Sequence, residues 1–175
     1  MIEQGRRAYL RAPRPSDRDE FLGLVRVSRE LHRPWVYAPE TPREFAAYLG
    51  RCSNATERCF LLCRQDDHAL VGVYNLSQIA HGFFESAYLG YYAFAPAAGQ
   101  GLMADGLQLV LRHTFRKLKL HRLEANIQPD NERSKRLVER AGFRYEGYSP
   151  RYLKIGGRWR DHERWAIRAE SWRAR

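Results

Sequence analysis

A turn of small residues joins a strand-like segment to a helical segment near the middle of the chain. Gly90–Phe94 is apolar and aromatic, Ala95–Gly101 consists of Ala, Pro, Gly and Gln, and a helical period of apolar residues follows from Leu102. Small residues leave backbone N–H groups accessible, and the first turn of a helix offers unpaired donors with a partial positive charge. The turn therefore predicts a phosphate-binding loop, although strands also pass into helices in this way without a ligand.

A second polar segment lies further along the chain. Asn126 ends an alternating, strand-like stretch, Asn131 opens a short helical stretch, and Ser134 follows three residues later. Ser134 shares helical spacing with Leu137 and Val138, which predicts that its hydroxyl is on the helix face turned toward the sheet. Such a serine either contributes to a site between helix and sheet or only helps to close the helix N-terminus.

The elements that must position these residues can be read from the periodicity. The predicted strands are Arg7–Ala12, Cys59–Arg64, Leu70–Ile79, Phe84–Phe94, Arg122–Gln128 and a hairpin within Phe143–Ile167 that turns at Gly156-Gly157. The predicted helices begin at Ser16 or Asp17, at Thr41, at Gly101 (to Leu120) and at Asn131 (to Ala141). This order predicts a mixed sheet with helices on its faces, formed by a single domain over residues 1–175.

Charge and cysteine content narrow the class of protein. The 175 residues carry 30 Lys and Arg against 20 Asp and Glu, a net charge of +10, which favours a nucleic acid, an acidic surface or a phosphate-rich cofactor. The cysteines, Cys52, Cys59 and Cys63, lack the spacing of a zinc site, so we expect no metal. Their odd number predicts the reducing cytoplasm, and the N-terminus has no apolar run typical of a signal peptide. The uncharged stretch 86–104 is interrupted by Pro and Gly, so we expect no membrane helix.

Together these motifs resemble the GNAT family of acyl-CoA-dependent N-acyltransferases. The glycine turn matches the family's pyrophosphate loop, Gln/Arg-x-x-Gly-x-Gly/Ala, and the Asn-x-x-Ser helix that ends in Gly142-Phe143 matches its second cofactor segment. The similarity covers roughly Arg7 to Ile167. Further segments resemble the RimJ-type ribosomal-protein alanine N-acetyltransferases: Tyr74–Leu76, Tyr88–Tyr91, Gly101–Met103, Glu146–Tyr148 and Gly157–His162.

The resemblance implies an α+β fold with a mixed, mostly antiparallel sheet and helices on both faces. The sheet would splay beside the strand that ends at Phe94, so that the pantetheine arm of acetyl-CoA pairs with exposed backbone. Two loop positions depart from the family pattern, since its Gln or Arg falls on Ala98 and its last Gly or Ala on Met103. The implied acetyl-CoA residues are Ala93, Phe94, Ala98, Gly99, Gln100, Gly101, Leu102, Met103, Asn126, Asn131 and Ser134.

The resemblance also implies catalytic residues. In many family members a tyrosine protonates the departing thiolate, and that position is Val138 here, so the resemblance implies Ser134 as the acid. Glu85, just before the strand that leads to the glycine turn, is the first candidate for a base that takes a proton from the amine, directly or through a water, although a carboxylate at the start of a strand is usually only solvated. Asp161 and His162 are the next candidates, although such a pair can also tie strands together.

Four residues are candidates for acceptor binding. Strand alternation sends Asn75 and Ser77 to the same face of a central strand, and Trp35 and Tyr37 lie in a Pro-bounded segment between the first two helices. Each could equally be satisfied by local packing.

The resemblance implies direct acetyl transfer from acetyl-CoA to an amine, most readily the N-terminal α-amine of a ribosomal protein, with the basic charge favouring proximity to RNA. Two alternatives remain open from the sequence. One is acetylation of a small amine such as a polyamine, an aminoglycoside or an amino acid. The other is an RNA-associated module that has kept the fold without catalysis.

Overall fold

The computed structural model describes residues 1–172 and contains one eight-stranded sheet in the order β1-β2-β3-β4-β5-β6-β8-β7. All neighbouring strands are antiparallel except β5 and β6, which are parallel. This confirms the predicted mixed, mostly antiparallel sheet. The strands are β1 (Glu3–Gln4), β2 (Ala8–Arg11), β3 (Arg58–Arg64), β4 (Leu70–Ala80), β5 (Ser86–Ala93), β6 (Arg122–Ile127), β7 (Arg144–Ile155) and β8 (Arg158–Arg168).

Helices cover both faces of the sheet. They are α1 (Arg18–Val27), α2 (Arg29–His32), α3 (Pro42–Cys52), α4 (Leu102–Arg112) and α5 (Glu132–Ala141). One core cluster contains Leu107 of α4 and Val138 of α5, and the sheet surface that it covers is called the α4 face below. The other contains Phe21 of α1 and Phe45 of α3, and its surface is called the α1 face. Strand residues alternate between these two faces.

Local signals place most of the helix ends. The Thr41 side chain accepts a hydrogen bond from the Glu44 N–H, and the Glu44 carboxylate accepts one from the Thr41 N–H, so α3 begins after Thr41, as predicted, with a capping box. Gly142 ends α5, as predicted, and does so in the left-handed conformation. Asp17 occupies the N-cap position of α1, but its carboxylate instead binds the Arg11 guanidinium at 2.8 Å.

Three elements differ from the predictions. The helix predicted to reach Leu120 is α-helical only to Arg112 and continues as a π-helical turn over His113–Lys117. The short strand β1 and the single-turn helix α2 were not predicted, because two to four residues carry no readable period.

Close packing fixes α4 on the sheet. A Cβ added to Gly106 would lie 2.6 Å from the Leu62 side chain and 2.9 Å from the Tyr74 ring, so the absence of a side chain lets α4 approach β3 and β4. The buried Tyr74 hydroxyl donates to the Met103 carbonyl at 2.5 Å, in the first turn of α4. The beginning of α4 is therefore held to the middle of the sheet.

Two of the three cysteines are bonded to each other. Cys52 and Cys59 form a disulfide between the end of α3 and the beginning of β3, which the odd cysteine count did not predict, while Cys63 is buried with a free thiol. Within residues 1–172 no three His, Cys, Asp or Glu side chains are placed to hold a metal ion. None of the helices described in that range is long and apolar enough to cross a membrane.

Candidate active site

The sheet opens between its two parallel strands. Only Ser86–Tyr88 of β5 pairs with Arg122–Glu124 of β6, although β5 continues to Ala93 and β6 to Ile127. A wedge-shaped gap therefore begins beyond Tyr88 and Glu124 and widens toward the ends of both strands. This is the splay near Phe94 that the family resemblance implies.

One edge of the gap is backbone without a neighbouring strand. The Phe94 N–H bonds the Val71 carbonyl of β4, so alternation turns the N–H and C=O groups of Leu89, Tyr91 and Ala93 toward the gap. His32 bonds the Ala93 carbonyl at 2.8 Å through Nε2, which leaves the Ala93 N–H facing the opening. Unpaired backbone groups of this kind can bind the amides of an extended ligand.

The predicted phosphate loop lies at the wide end of the gap. Gly99 and Gly101 both have a φ of 77°, and Gly101 is the N-cap of α4 in the left-handed conformation. The first N–H groups of α4 have no acceptor within the helix, and the loop from 98 to 101 is exposed. These groups can bind the phosphates of a cofactor through the backbone alone, even though Ala98 stands where the family pattern has Gln or Arg.

Arg7, directly before β2, holds this loop in place. Arg7 donates to the Gln100 carbonyl at 3.2 Å and pairs with the Asp105 carboxylate at 2.7 Å. A Cβ on Gly101 would lie 3.2 Å from an Arg7 nitrogen, so the loop and the arginine fit closely. Because Arg7 takes the Gln100 carbonyl to one side, it helps to fix the direction of the neighbouring N–H groups.

Two hydroxyls meet across the gap on the α4 face. The Ser134 Oγ lies 2.5 Å from the Tyr91 hydroxyl oxygen, which also lies 3.3 Å from the Ser134 carbonyl. Burial raises the pKa of Tyr91 well above its ordinary value, so the phenol stays protonated. The Asn131 side chain accepts from the Ser134 N–H at 3.2 Å, which confirms Asn131 as the helix cap. Ser134 faces the sheet, as predicted.

Tyr91 was not among the predicted site residues. The signal for it in the sequence was the alternation of β5, which places Tyr91 on the same face as Ala87 and Leu89. That face is the one on which α5 packs. The partner helix could not be assigned without the tertiary structure, because the two residues are 43 positions apart.

The α1 face carries the predicted acceptor residues of β4. Asn75 and Ser77 share this face, and the Tyr48 hydroxyl of α3 donates to Asn75 Oδ1 at 3.1 Å. The Tyr48 hydroxyl thus fixes the amide oxygen of Asn75, and the amide nitrogen points away from that hydroxyl. The predicted common face of the two residues is confirmed by the strand register.

The loop between α2 and α3 reaches the end of β6 and the β7–β8 turn. The Trp35 carbonyl accepts from Gln128 Nε2 at 3.3 Å, just beyond the end of β6. Tyr37 lies against the β7–β8 turn, because a Cβ on Gly156 would overlap its ring, and the Arg33 guanidinium lies 5.1 Å from that ring's centroid. The loop and the hairpin together line the opening on the α1 face.

Glu85 and Phe94 lie away from the gap, and Asp161 and His162 do not form the predicted pair. Glu85 is exposed and precedes the three paired residues of β5, so the paired segment separates it from the opening. Asp161 and His162 do not bond each other: the Asp161 carboxylate accepts from the Tyr148 hydroxyl, which lowers its pKa, and burial lowers the pKa of His162. Phe94 packs its ring against Phe21 in the core.

Comparison with known proteins identifies the family. A family model described as an acetyltransferase (GNAT) domain matches residues 7–144. The chain belongs to the GNAT family. This acetyltransferase is 40% identical over 153 residues to the ribosomal protein uS5-alanine N-acetyltransferase of Escherichia coli, covering 83% of this chain and 79% of the relative.

Solved structures agree with that assignment. RimJ from Mycobacterium smegmatis, in complex with CoA-disulfide, superposes with a TM-score of 0.85 at 27% identity, over 93% of this chain and 82% of the other. The spermidine N-acetyltransferase of Vibrio cholerae, in complex with CoA and spermine, superposes with a TM-score of 0.81 at 22% identity, over 94% and 97%. The second similarity shows the fold alone. The chain is an N-acetyltransferase, and GNAT enzymes use acetyl-CoA.

Proposed function

We propose that this enzyme transfers the acetyl group of acetyl-CoA to the N-terminal α-amine of a ribosomal protein. The observation that carries the proposal is the gap between β5 and β6, which is open to the Ser134 hydroxyl on the α4 face and to the loop around Trp35 on the α1 face. The 40% identity to a ribosomal-protein alanine N-acetyltransferase supports this acceptor.

In the proposed complex the phosphates of acetyl-CoA lie on the backbone of the loop from Gly99 to Met103. The pantetheine arm pairs with the N–H and C=O groups of β5 that face the gap, including those of Tyr91. This places the thioester near the point where the strands diverge, beside Ser134. A backbone N–H at that point polarises the thioester carbonyl by hydrogen bonding to its oxygen.

Direct attack by the amine then completes the transfer. The amine enters from the α1 face, its nitrogen forms the C–N bond, and the C–S bond breaks. Ser134 donates its hydroxyl proton to the departing sulfur and regains a proton from the nitrogen of the new amide. No covalent enzyme intermediate is required, because the three cysteines belong to α3 and β3 rather than to the gap.

The neutral form of the acceptor is accessible near physiological pH. A free α-amine has a pKa of about 8, whereas a lysine side chain has a pKa of about 10.4, so an α-amine loses its proton more readily. Trp35 and Tyr37, together with Asn75 and Ser77, line the face from which a peptide terminus would enter.

A panel of acceptors tests the proposal. Thiol release from acetyl-CoA is measured with peptides that begin with Ala or Ser, with the same peptides blocked at the α-amine, and with spermidine and an aminoglycoside. Products are assigned by mass spectrometry. Acetylation confined to free α-amines is expected. Acetylation of spermidine alone would overturn the assigned acceptor and favour a small-amine acetyltransferase.

The basic charge is proposed to aid approach to ribosomal particles, whose surfaces are rich in phosphate. A net charge of +10 gives long-range attraction that salt screens within about 8 Å at physiological ionic strength. Acetylation of a ribosomal protein within its particle should therefore slow as salt increases, while acetylation of its free N-terminal peptide should not. Equal salt dependence for both acceptors would contradict this role.

This acceptor places the enzyme in the cytoplasm, where thiol buffers keep most cysteines reduced. Cys52 and Cys59 should then be free thiols in growing cells, and their disulfide should form only on oxidation. Rapid alkylation of cells followed by mass spectrometry of the peptides distinguishes the two states. A disulfide trapped in most of the cellular protein would contradict the cytoplasmic assignment.

A further inference from the structure

A carboxylate stands at the point where the sheet opens. Tyr88 and Glu124 are the last paired residues of β5 and β6, so Glu124 marks the narrow end of the gap. Its neighbours Leu123 and Ala125 are buried in the cluster of the α4 face. Strand alternation therefore turns the Glu124 side chain to the α1 face, the side from which the acceptor enters in the proposed complex.

Glu124 shares its positively charged partner with a second carboxylate. The Arg122 guanidinium lies 2.7 Å from a Glu124 carboxylate oxygen and also pairs with Glu146 of β7. One guanidinium thus serves two carboxylates. Its hydrogen bond lowers the pKa of Glu146, and the nearby charges of Arg164 and Arg168 lower that pKa further. The Glu124 side chain is 13% exposed and that of Glu146 is 39% exposed, so Glu124 is the inner member of the pair.

The surroundings of Glu124 can accept further hydrogen bonds from a bound group. Asn126 lies two residues along β6 on the same face, and its buried Oδ1 has no partner within residues 1–172. On the other strand, a hydrogen bond with Tyr152 and partial burial raise the pKa of Tyr88 to about 12, so its phenol stays neutral. A primary ammonium group has three N–H donors and needs acceptors of this kind.

The same reasoning separates Glu124 from Glu85. Strands rise about 3.3 Å per residue, so Glu85 lies roughly 13 Å along β5 from Leu89, the first residue beyond the pairing. Glu124, in contrast, is paired with Tyr88, directly before that opening. A general base must be within hydrogen-bond reach of the amine, or one water away.

We propose that Glu124 binds the acceptor's amino group and takes its proton before attack. This inference rests on the proposed direction of acceptor entry, through the α1 face. One N–H proton of the ammonium group passes to the Glu124 carboxylate, and the freed electron pair of nitrogen forms the C–N bond. The nitrogen loses a second proton as the C–S bond breaks, which replaces the proton that Ser134 gives to the sulfur. Glu124 finally releases its proton to water.

Two variants and a control test the assignment. The acceptor is the amine that the wild-type enzyme acetylates fastest. Glu124→Gln keeps the shape of the side chain but cannot take the proton, and should lower kcat/KM for the acceptor at least 100-fold. Glu124→Asp keeps a negative charge to pair with Arg122 but shortens the side chain by one methylene group, and should lower kcat/KM at least tenfold. Both should bind acetyl-CoA within twofold of the wild-type Kd.

The matched control is Glu146→Gln, which removes the other carboxylate on Arg122 and should retain kcat/KM within threefold. Wild-type rates in folded Glu124→Gln or Glu124→Asp would overturn the inference. An equal loss in Glu146→Gln would also overturn it, because the effect would then pass through Arg122. If the wild-type enzyme prefers spermidine to every peptide, the proposed acceptor fails while the role of Glu124 is still decided with spermidine.

Discussion

Replacing Tyr91 by Phe removes one hydroxyl and leaves the ring. The lost hydroxyl oxygen is 2.5 Å from Ser134 Oγ, and the ring would keep its packing 5.7 Å from the Tyr74 ring. The proposed mechanism makes Tyr91 a positioning residue, because it acts on the reaction by directing the Ser134 hydroxyl toward the sulfur. The substitution should therefore slow chemistry without weakening acetyl-CoA binding.

The size of the effect follows from the bond that is lost. A net contribution of about 0.5–1.5 kcal/mol for a hydrogen bond between neutral groups corresponds to about a 2- to 13-fold decrease in rate. Loss of the proposed acid, in Ser134→Ala, should lower the rate about 100-fold or more, the usual range for general acid catalysis. The double variant should equal Ser134→Ala, because Tyr91 has nothing left to position.

Single-turnover measurements are the appropriate assay, because they separate the chemical step from product release. Acetyl-CoA and excess enzyme are mixed with saturating acceptor, and thiol release is followed for wild type, both single variants and the double variant. Tyr74→Phe is the control, since it removes a buried hydroxyl that bonds the Met103 carbonyl instead. It should raise the Kd for acetyl-CoA more than it lowers the chemical rate.

Two results would refute the reasoning. If Tyr91→Phe slows the Ser134→Ala enzyme as much as it slows wild type, the two effects are independent and Tyr91 does not act through Ser134. If Ser134→Ala alone keeps the wild-type rate, water or the thiolate itself manages the proton and the acid assignment fails.

Three further perturbations follow from the structure. Gly101→Val should raise the Kd for acetyl-CoA at least tenfold in calorimetry, because φ is 77° there; Gly50→Ala, with no atom near the added Cβ, should not. Asn75→Ala should raise the acceptor KM severalfold in steady-state assays and leave the acetyl-CoA Kd unchanged. A higher acetyl-CoA Kd with an unchanged acceptor KM would contradict the assignment of Asn75 to the acceptor side. Burial lowers the pKa of His32 and His162, so the unfolded chain takes up these protons first. Denaturant titrations should show the unfolding free energy falling as pH drops below about 6.5, by at most about 1.4 kcal/mol per pH unit for each imidazole. A constant unfolding free energy from pH 7 to 5 would exclude this contribution.

Contacts between residues close in the chain were predictable. The capping box of α3 needs only Thr41 and Glu44, which are three residues apart, and the left-handed end of α5 needs only Gly142. The glycine turn before α4 and the hairpin at Gly156-Gly157 depend in the same way on local backbone freedom. Such features survive without knowledge of the fold, because their energies arise within one turn.

The gap itself was predicted only through the family resemblance. No residue type between Tyr88 and Ala93 indicates that the pairing of β5 with β6 ends after three residue pairs. Beyond that point β5 stays paired with β4 and β6 with β8, so the gap lies inside the sheet rather than at its edge. Its position depends on the registers of four strands that are far apart in the chain, which local sequence does not reveal.

The sequence by itself determined the helix caps, the turns, the glycine loop before α4 and the direction of the Ser134 hydroxyl, because each depends on backbone geometry over a few residues. Only the tertiary structure decided which groups meet there. It brought Tyr91 to Ser134 across 43 positions, Arg7 to Asp105 across 98, and the Glu124 carboxylate to the opening. Such pairs depend on strand register and helix packing, which are set by the burial of many side chains at once.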